Sequence, residues 1–235
     1  MPVSRAGRIA VGLLGALVLV LVLAQVFLPA IAASRVRSRV GKYGTVKSVT
    51  VKAWPAIKLL WGHADSVRVT AGSLTMSPAQ TAKLLVQARG VESMNLTAEN
   101  VEEGPLRLRD ASFQKHGDAL VAQASTTQAD VGEALGTLGK GIEVQLLSSH
   151  DGQVEVSASG GLFGVKASID AVASAQEGKL VVRPLGFLLE GLQLTLLDNP
   201  HVHVEGVSAT ATQAPGGQAS GAVAGYRLAI RARLR

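Results

Sequence analysis

The chain has 235 residues, no cysteine, 3% aromatic residues and a formal charge of +6. Without cysteine it holds no disulfide, no iron–sulfur cluster and no thiolate zinc site. The excess charge is Arg5, Arg8, Arg35, Arg37, Arg39 and Lys42, all flanking one apolar run; from residue 43 onward 17 basic residues face 17 acidic ones. A neutral body of that size is not built as a nucleic-acid binder. The local cluster Arg227, Arg231, Arg233 and Arg235 is expected to decorate the outer face of a last strand.

Residues 9–28 form an uncharged run that spans roughly 30 Å as a helix, the thickness of a bilayer core. A secretory signal core is usually only about 7–15 residues long, so length favours an uncleaved anchor. Ala30-Ile31-Ala32 has the small-x-small form of a cleavage site, which keeps secretion after cleavage near Ala32 as the alternative. Either way the body is expected on the extracytoplasmic side. The basic residues that follow the run outnumber those before it and point the other way by the positive-inside rule, yet a basic start before a short apolar run reads as a targeting signal. Arg35, Arg37, Arg39 and Lys42 are expected to touch anionic headgroups at about 1 kcal/mol each or simply to solubilise a helix end. The expected division is a membrane segment over residues 1–33, a basic juxtamembrane segment over 34–44 and one domain over 45–235.

Alternation dominates that domain. Val49, Val51 and Ala53 share a strand face, as do Val67, Val69 and Ala71; Val154, Val156 and Ala158; Val165, Ala167, Ile169, Ala171 and Ala173; Val202, Val204 and Val207; and Tyr226, Leu228 and Ile230. A period of two predicts half-buried antiparallel strands. Turn chemistry falls at Glu103-Gly104-Pro105, His116-Gly117-Asp118, Asp151-Gly152, Glu177-Gly178 and Pro215-Gly216-Gly217, with Asp151-Gly152 the sharpest hairpin signal. Ser77-Pro78-Ala79-Gln80 is a capping box with proline at the first helical position. A second helix is predicted to open at Asp130 with Val131, Leu135 and Leu138 on one face, and a short third one over residues 55–61. The apolar stretch 184–199 fits either helix or buried strand. The fold class is α+β: a long antiparallel sheet with a few helices.

No catalytic constellation emerges, and no enzyme, cofactor or metal is expected. Gly-x-Ser-x-Gly and His-Glu-x-x-His are absent. Residues 136–141 lack phosphate-loop spacing and read as a frayed helix end, and Gly160, Gly161 and Gly164 mark a bend or bulge. His201 and His203 point the same way on a strand, but a metal would need a third ligand. Glu102-Glu103, beside a turn, is expected to be exposed.

The most distinctive segment is residues 49–69. It holds both tryptophans, Trp54 and Trp61, around Pro55, Ile57, Leu59 and Leu60. It is either a plain strand–turn–strand plug or, since indoles favour the headgroup level, a lip that touches lipid. The pattern Val49-x-Val51-x-x-Trp54-Pro55-Ala56-Ile57, Leu59-Leu60-x-Gly62, Asp65-x-Val67-x-Val69, the N-terminal span with its basic stretch, Gly178-Lys-Leu-Val-Val-Arg-Pro184 and the closing segment 225–234 resemble the LmeA-like phospholipid-binding family of actinobacterial cell envelopes. Trp54 stands where that family more often has Phe, and residues 139–174 match loosely.

The resemblance implies a curved, tubular sheet wrapped around helices with an apolar cavity for acyl chains, and a part in envelope lipid or lipoglycan maturation. The expected lipid-binding residues are Trp54, Pro55, Ile57, Leu59, Leu60, Trp61, Val154, Val156, Val165 and Ile169, with headgroups held near Lys52, Lys58 or Arg68. The expected partners are phospholipid or a related lipid and the membrane, with envelope proteins as further partners; the alternative is a non-enzymatic envelope adaptor with no lipid cavity.

Overall fold

A computed structural model describes residues 5–104, 106–134, 139–162, 165–186, 191–213 and 223–235. The apolar run and its basic sequel form one helix, α1 (Arg5–Val40). It leads into β1 (Gly44–Lys52), a 3₁₀ turn (Ala56–Trp61), β2 (Ala64–Thr75), α2 (Pro78–Gln87), β3 (Val91–Glu103), β4 (Leu106–His116), β5 (Ala119–Thr127) and α3 (Gln128–Ala134). Then come β6 (Gly139–His150), β7 (Gln153–Leu162), β8 (Val165–Gln176), β9 (Lys179–Leu185), β10 (Leu194–Leu197), β11 (Val202–Gln213) and β12 (Val223–Leu234). The strands form a seven-stranded sheet ordered β1-β2-β3-β4-β5-β12-β11 and a five-stranded sheet ordered β10-β9-β8-β7-β6. The α+β class holds, with strands dominant. The sheet is not wholly antiparallel, because β2 and β3 run parallel with α2 as their crossover.

Local chemistry explains most boundaries. Ser77 caps α2, with its hydroxyl accepting from the Gln80 N–H and the Gln80 side chain accepting from the Ser77 N–H at 2.8 Å. The hairpins at Asp151-Gly152 and Glu177-Gly178 place both turn residues at positive φ (52° and 74°, 51° and 81°), the geometry that closes a two-residue hairpin with the sheet's own twist. The start of α3 falls two residues before the expected Asp130. Thr127 accepts from the Asp130 N–H at 3.1 Å and donates to its carboxylate, so the cap lies further upstream. Leu135 and Leu138 lie outside the described residues. Residues 139–141 are not a frayed helix but the start of β6, paired with the end of β7. The stretch 184–199 contributes the end of β9 and the short edge strand β10; residues 187–190 lie outside the described residues.

Register shows how the large sheet is sided. Val49, Val69, Leu96, Phe113, Ala122, Ile230 and Val207 are successive cross-strand partners over all seven strands. The adjacent row is Ser48, Thr70, Thr97, Ser112, Gln123, Ala229 and Ser208. One face is therefore apolar and the other largely hydroxylated, as pleating demands of a sheet covered on one side. We call the apolar side the inner face.

Among the described residues, three elements cover it through apolar packing. α1 packs Ala32, Ala33, Val36 and Val40 against Val49, Val67, Val69 and Leu96. Leu85 of α2 meets Phe113 and Leu120. The small sheet packs Val154, Val156 and Leu180 against Val204, Val207, Leu228 and Ile230. The junction is also polar. Gly178 O, Gly152 O and Ser149 Oγ accept from the Val204, Val207 and Ala209 N–H groups at 2.8, 2.9 and 2.9 Å. These amides belong to β11, the edge strand, so the hairpin turns of one sheet close the open edge of the other. A register shift between Val204 and Gly206 lets both 204 and 207 present their amides outward.

Candidate functional site

The half-buried positions of α1 recur at Ala24, Gln25, Leu28, Pro29, Ala32, Ala33 and Val36 and lead to the buried Val40, whereas residues 20–23 are exposed on every side. Spacings of three and four residues define one helix face, so the domain grips α1 from about residue 24 onward. The 15 steps from Gln25 to Val40 rise about 22 Å, about the length of a seven-residue strand. The helix does not stop at residue 33. Its last two turns carry Arg35, Arg37 and Arg39 on the outward side and Val36 and Val40 in the core.

Gln25 fixes the height of the 3₁₀ turn against the helix. Its Nε2 donates to Ala53 O at 3.2 Å and its Oε1 accepts from the Ala56 N–H at 2.8 Å. At the other side of the turn, the Asp65 carboxylate accepts from the Trp54 N–H at 2.5 Å and from Lys58 Nζ at 3.1 Å. Those two bonds, led by the backbone one, hold Asp65 below the usual carboxylate range. Gly62 ends the turn at φ 77°. Held this way, Trp54, Leu60 and Trp61 remain 72%, 65% and 68% exposed. Pro55 is exposed, Ile57 is half-buried, and Leu59 turns inward against the core. This exposed turn, called the lip below, is built on α1 rather than plugged into the sheet.

Beside the lip lies an open cleft of about 490 Å³, lined by Lys58, Trp61, His63, Asp65, Arg89 and Glu92 among others. Gly90 closes it: a Cβ there would meet Gly62 O at 2.4 Å, so only glycine allows the start of β3 to rest on the lip turn. Lys58 is thus a cleft residue. Arg68 shares a cross-strand row with Thr50 and Asn95 on the outer face, and Lys52 is exposed at the end of β1.

The other expected lipid contacts lie in the small sheet. Val154 is buried against β11, Val156 packs beside it, and Ile169 is half-buried; the side chain of Val165 lies outside what is described. The lip and these valines are not neighbours. The inner row connects them, through Leu96, Phe113, Ala122 and Ile230, all half-buried. Leu96, Phe113 and Ala122 escaped the sequence reading because β4 and β5 carry few large apolar residues. The available signal was the alternation of Met94, Leu96 and Ala98 facing Ala111 and Phe113.

Of the four basic residues expected at headgroups, Arg37 donates to Lys47 O at 2.8 Å and Arg39 to Gln87 Oε1 at 3.3 Å. Arg35 stands ten residues past Gln25, about 15 Å higher along the helix. His201 and His203 are each engaged through Nδ1, with Arg89 at 2.9 Å and with Arg235 at 2.5 Å. Among the described residues no trio of His, Asp or Glu is placed to hold a metal ion. A buried cation, Lys115, sits on the inner face. Lys115 pairs across strands with Met94 and Leu120, is 4% exposed and donates to Val91 O. Burial lowers its affinity for the proton.

A family model described as LmeA-like phospholipid-binding matches residues 21–233. No curated protein and no solved structure matches the chain.

Proposed function

Since the chain belongs to the LmeA-like phospholipid-binding family, we propose that it is a membrane-anchored, extracytoplasmic protein that takes phospholipid acyl chains onto the inner face of its large sheet. The observation that carries this reading is the unbroken apolar row from Val49 to Val207, whose middle members are only half-buried between α1 and the small sheet. Each CH₂ moved from water onto such a surface is worth about 0.8 kcal/mol, so a pair of acyl chains needs no specific polar contact to be held. The cleft beside Trp61 supplies polar groups for the headgroup: Arg89 for a phosphate, Lys58 and His63 near it.

The anchor is α1. Cleavage near Ala32 would remove Gln25 and with it both hydrogen bonds that hold the lip, which supports retention of the helix over secretion. Arg35 lies nearest to the headgroup layer among Arg35, Arg37, Arg39 and Lys42, about 15 Å above Gln25 along the helix, and the other three lie further up. We read the protein as a binder rather than an enzyme, with a role in envelope lipid or lipoglycan maturation.

The test uses the full chain in nanodiscs containing a phospholipid with a diazirine in its acyl chain. After photolysis, crosslinks on Ala122 or Ile230, two and three strands beyond the Leu96 that α1 covers, are expected. Crosslinks confined to α1 and the lip would mean ordinary contact with the surrounding bilayer and a packed domain, and would turn the search to protein partners.

A further inference from the structure

We propose that the lip and the adjoining outer side of α1 form one apolar collar seated in the acyl region of the bilayer that α1 spans, with the cleft opening at the headgroup layer above it. This rests on the anchoring reading given above. Five large apolar side chains lie at one height. Val26 and Phe27 on α1 are 64% and 59% exposed, and Trp54, Leu60 and Trp61 reach out from a turn tied to Gln25. The last large apolar residue exposed on this part of α1 is Ile31, and the outward side is basic from Arg35 on.

The height agrees with membrane thickness. From Arg5 to Gln25 the helix rises about 30 Å and from Arg8 about 25 Å, against a hydrocarbon core of about 30 Å. With those two arginines in one headgroup layer, Gln25 and the turn fall at the inner edge of the other.

A turn enters that region at low cost only when its backbone is satisfied from within, and six of its groups are bonded in this way or to Gln25 and Asp65. Ala53 O and the Ala56 N–H go to Gln25, the Trp54 N–H to Asp65, the Lys58 N–H to Pro55 O, and the Gly62 and His63 N–H groups to Leu59 O and Lys58 O. Its charged side chain, Lys58, is neutralised by Asp65. Aromatic side chains at the edge of the hydrocarbon are the usual membrane-interface arrangement. A lip held there would let lipid pass from the bilayer into the cleft without crossing water.

Both tryptophans of the chain are in the lip, so tryptophan emission excited at a wavelength that tyrosine does not absorb reports on it alone. The full chain is reconstituted into phosphatidylcholine vesicles containing either 6,7-dibromo or 11,12-dibromo acyl chains. Emission is expected to fall at least twofold with the shallow bromines and less with the deep ones, and Trp54→Phe and Trp61→Phe should each retain the quenching. Unquenched emission from protein that resists alkaline carbonate extraction would overturn the collar while leaving the anchor intact. Stronger quenching by the deep bromines would also overturn it. Release of the protein by carbonate would overturn the anchoring reading itself.

Discussion

Gln25, a polar residue in the middle of an apolar helix, accepts a hydrogen bond from the Ala56 N–H at 2.8 Å while donating to Ala53 O at 3.2 Å. One amide side chain thereby satisfies a donor and an acceptor of a turn about thirty residues away. Gln25→Leu keeps the helix apolar but strands both backbone groups, at a cost of about 1–3 kcal/mol for each buried group left unpaired. The expected result is a lower melting temperature in detergent with a change in tryptophan emission, read by calorimetry and fluorescence on the same sample.

Asp65 holds the other side of the lip. Its carboxyl lies below the ordinary value of 3.8 because the Trp54 N–H, and then Lys58, favour the charged form. A carboxylate with a lowered native pKa stabilises the fold above its unfolded value and loses that contribution as pH falls through the native one. Tryptophan emission of the wild type should therefore shift on acidification below pH 3.8. Asp65→Asn should show the shifted emission already at neutral pH and no transition at that site.

Lys115 carries its charge into the inner face. Burial lowers its pKa from 10.5, so between the native value and 10.5 the unfolded chain binds more protons than the native one and stability rises with pH. Lys115→Met should remove this alkaline gain and should not destabilise the protein at neutral pH, because a desolvated ammonium is replaced by an apolar chain of similar length. Chemical denaturation from pH 7 to 10.5 checks both.

Val69 and Phe113 separate folding from binding on the same apolar row. Val69 is fully buried. Val69→Ala deletes two buried methyl groups, costing about 2 kcal/mol with the cavity included. Phe113 is half-buried, so Phe113→Ala should cost less stability and lower acyl-chain crosslinking more. Equal losses of crosslinking in the two variants would show that stability alone governs it.

The side of the membrane is open to a direct check, since the chain has no cysteine. Gln114→Cys places one thiol at an exposed position on β4. A membrane-impermeant maleimide should label it in intact cells without permeabilisation.

Much of the fold was legible in the residues. The alternating valines, the Ser77 capping box and the Asp151-Gly152 hairpin are local signals, each spelled out within a few consecutive residues, and each formed as read. The uncharged run of α1 was equally plain, whereas the residues left Trp54 and Trp61 either plugged into the sheet or exposed, and only the tertiary structure exposed them. The tertiary structure alone decided that β2 and β3 run parallel, that the strands divide into two sheets, and that the hairpin turns of one close the edge of the other. Those features depend on partners far apart along the chain, such as Val204 with Gly178 and Val207 with Gly152. It also decided which part of α1 stays exposed and which part enters the core. To hydropathy, Ala32, Ala33 and Val36 resemble Val20 and Val22, because lipid tails and a protein interior are equally apolar surroundings. Only packing of the first set against Val49 and Val69, with Gln25 at the boundary, distinguishes the exposed part of the helix from the part that completes the domain.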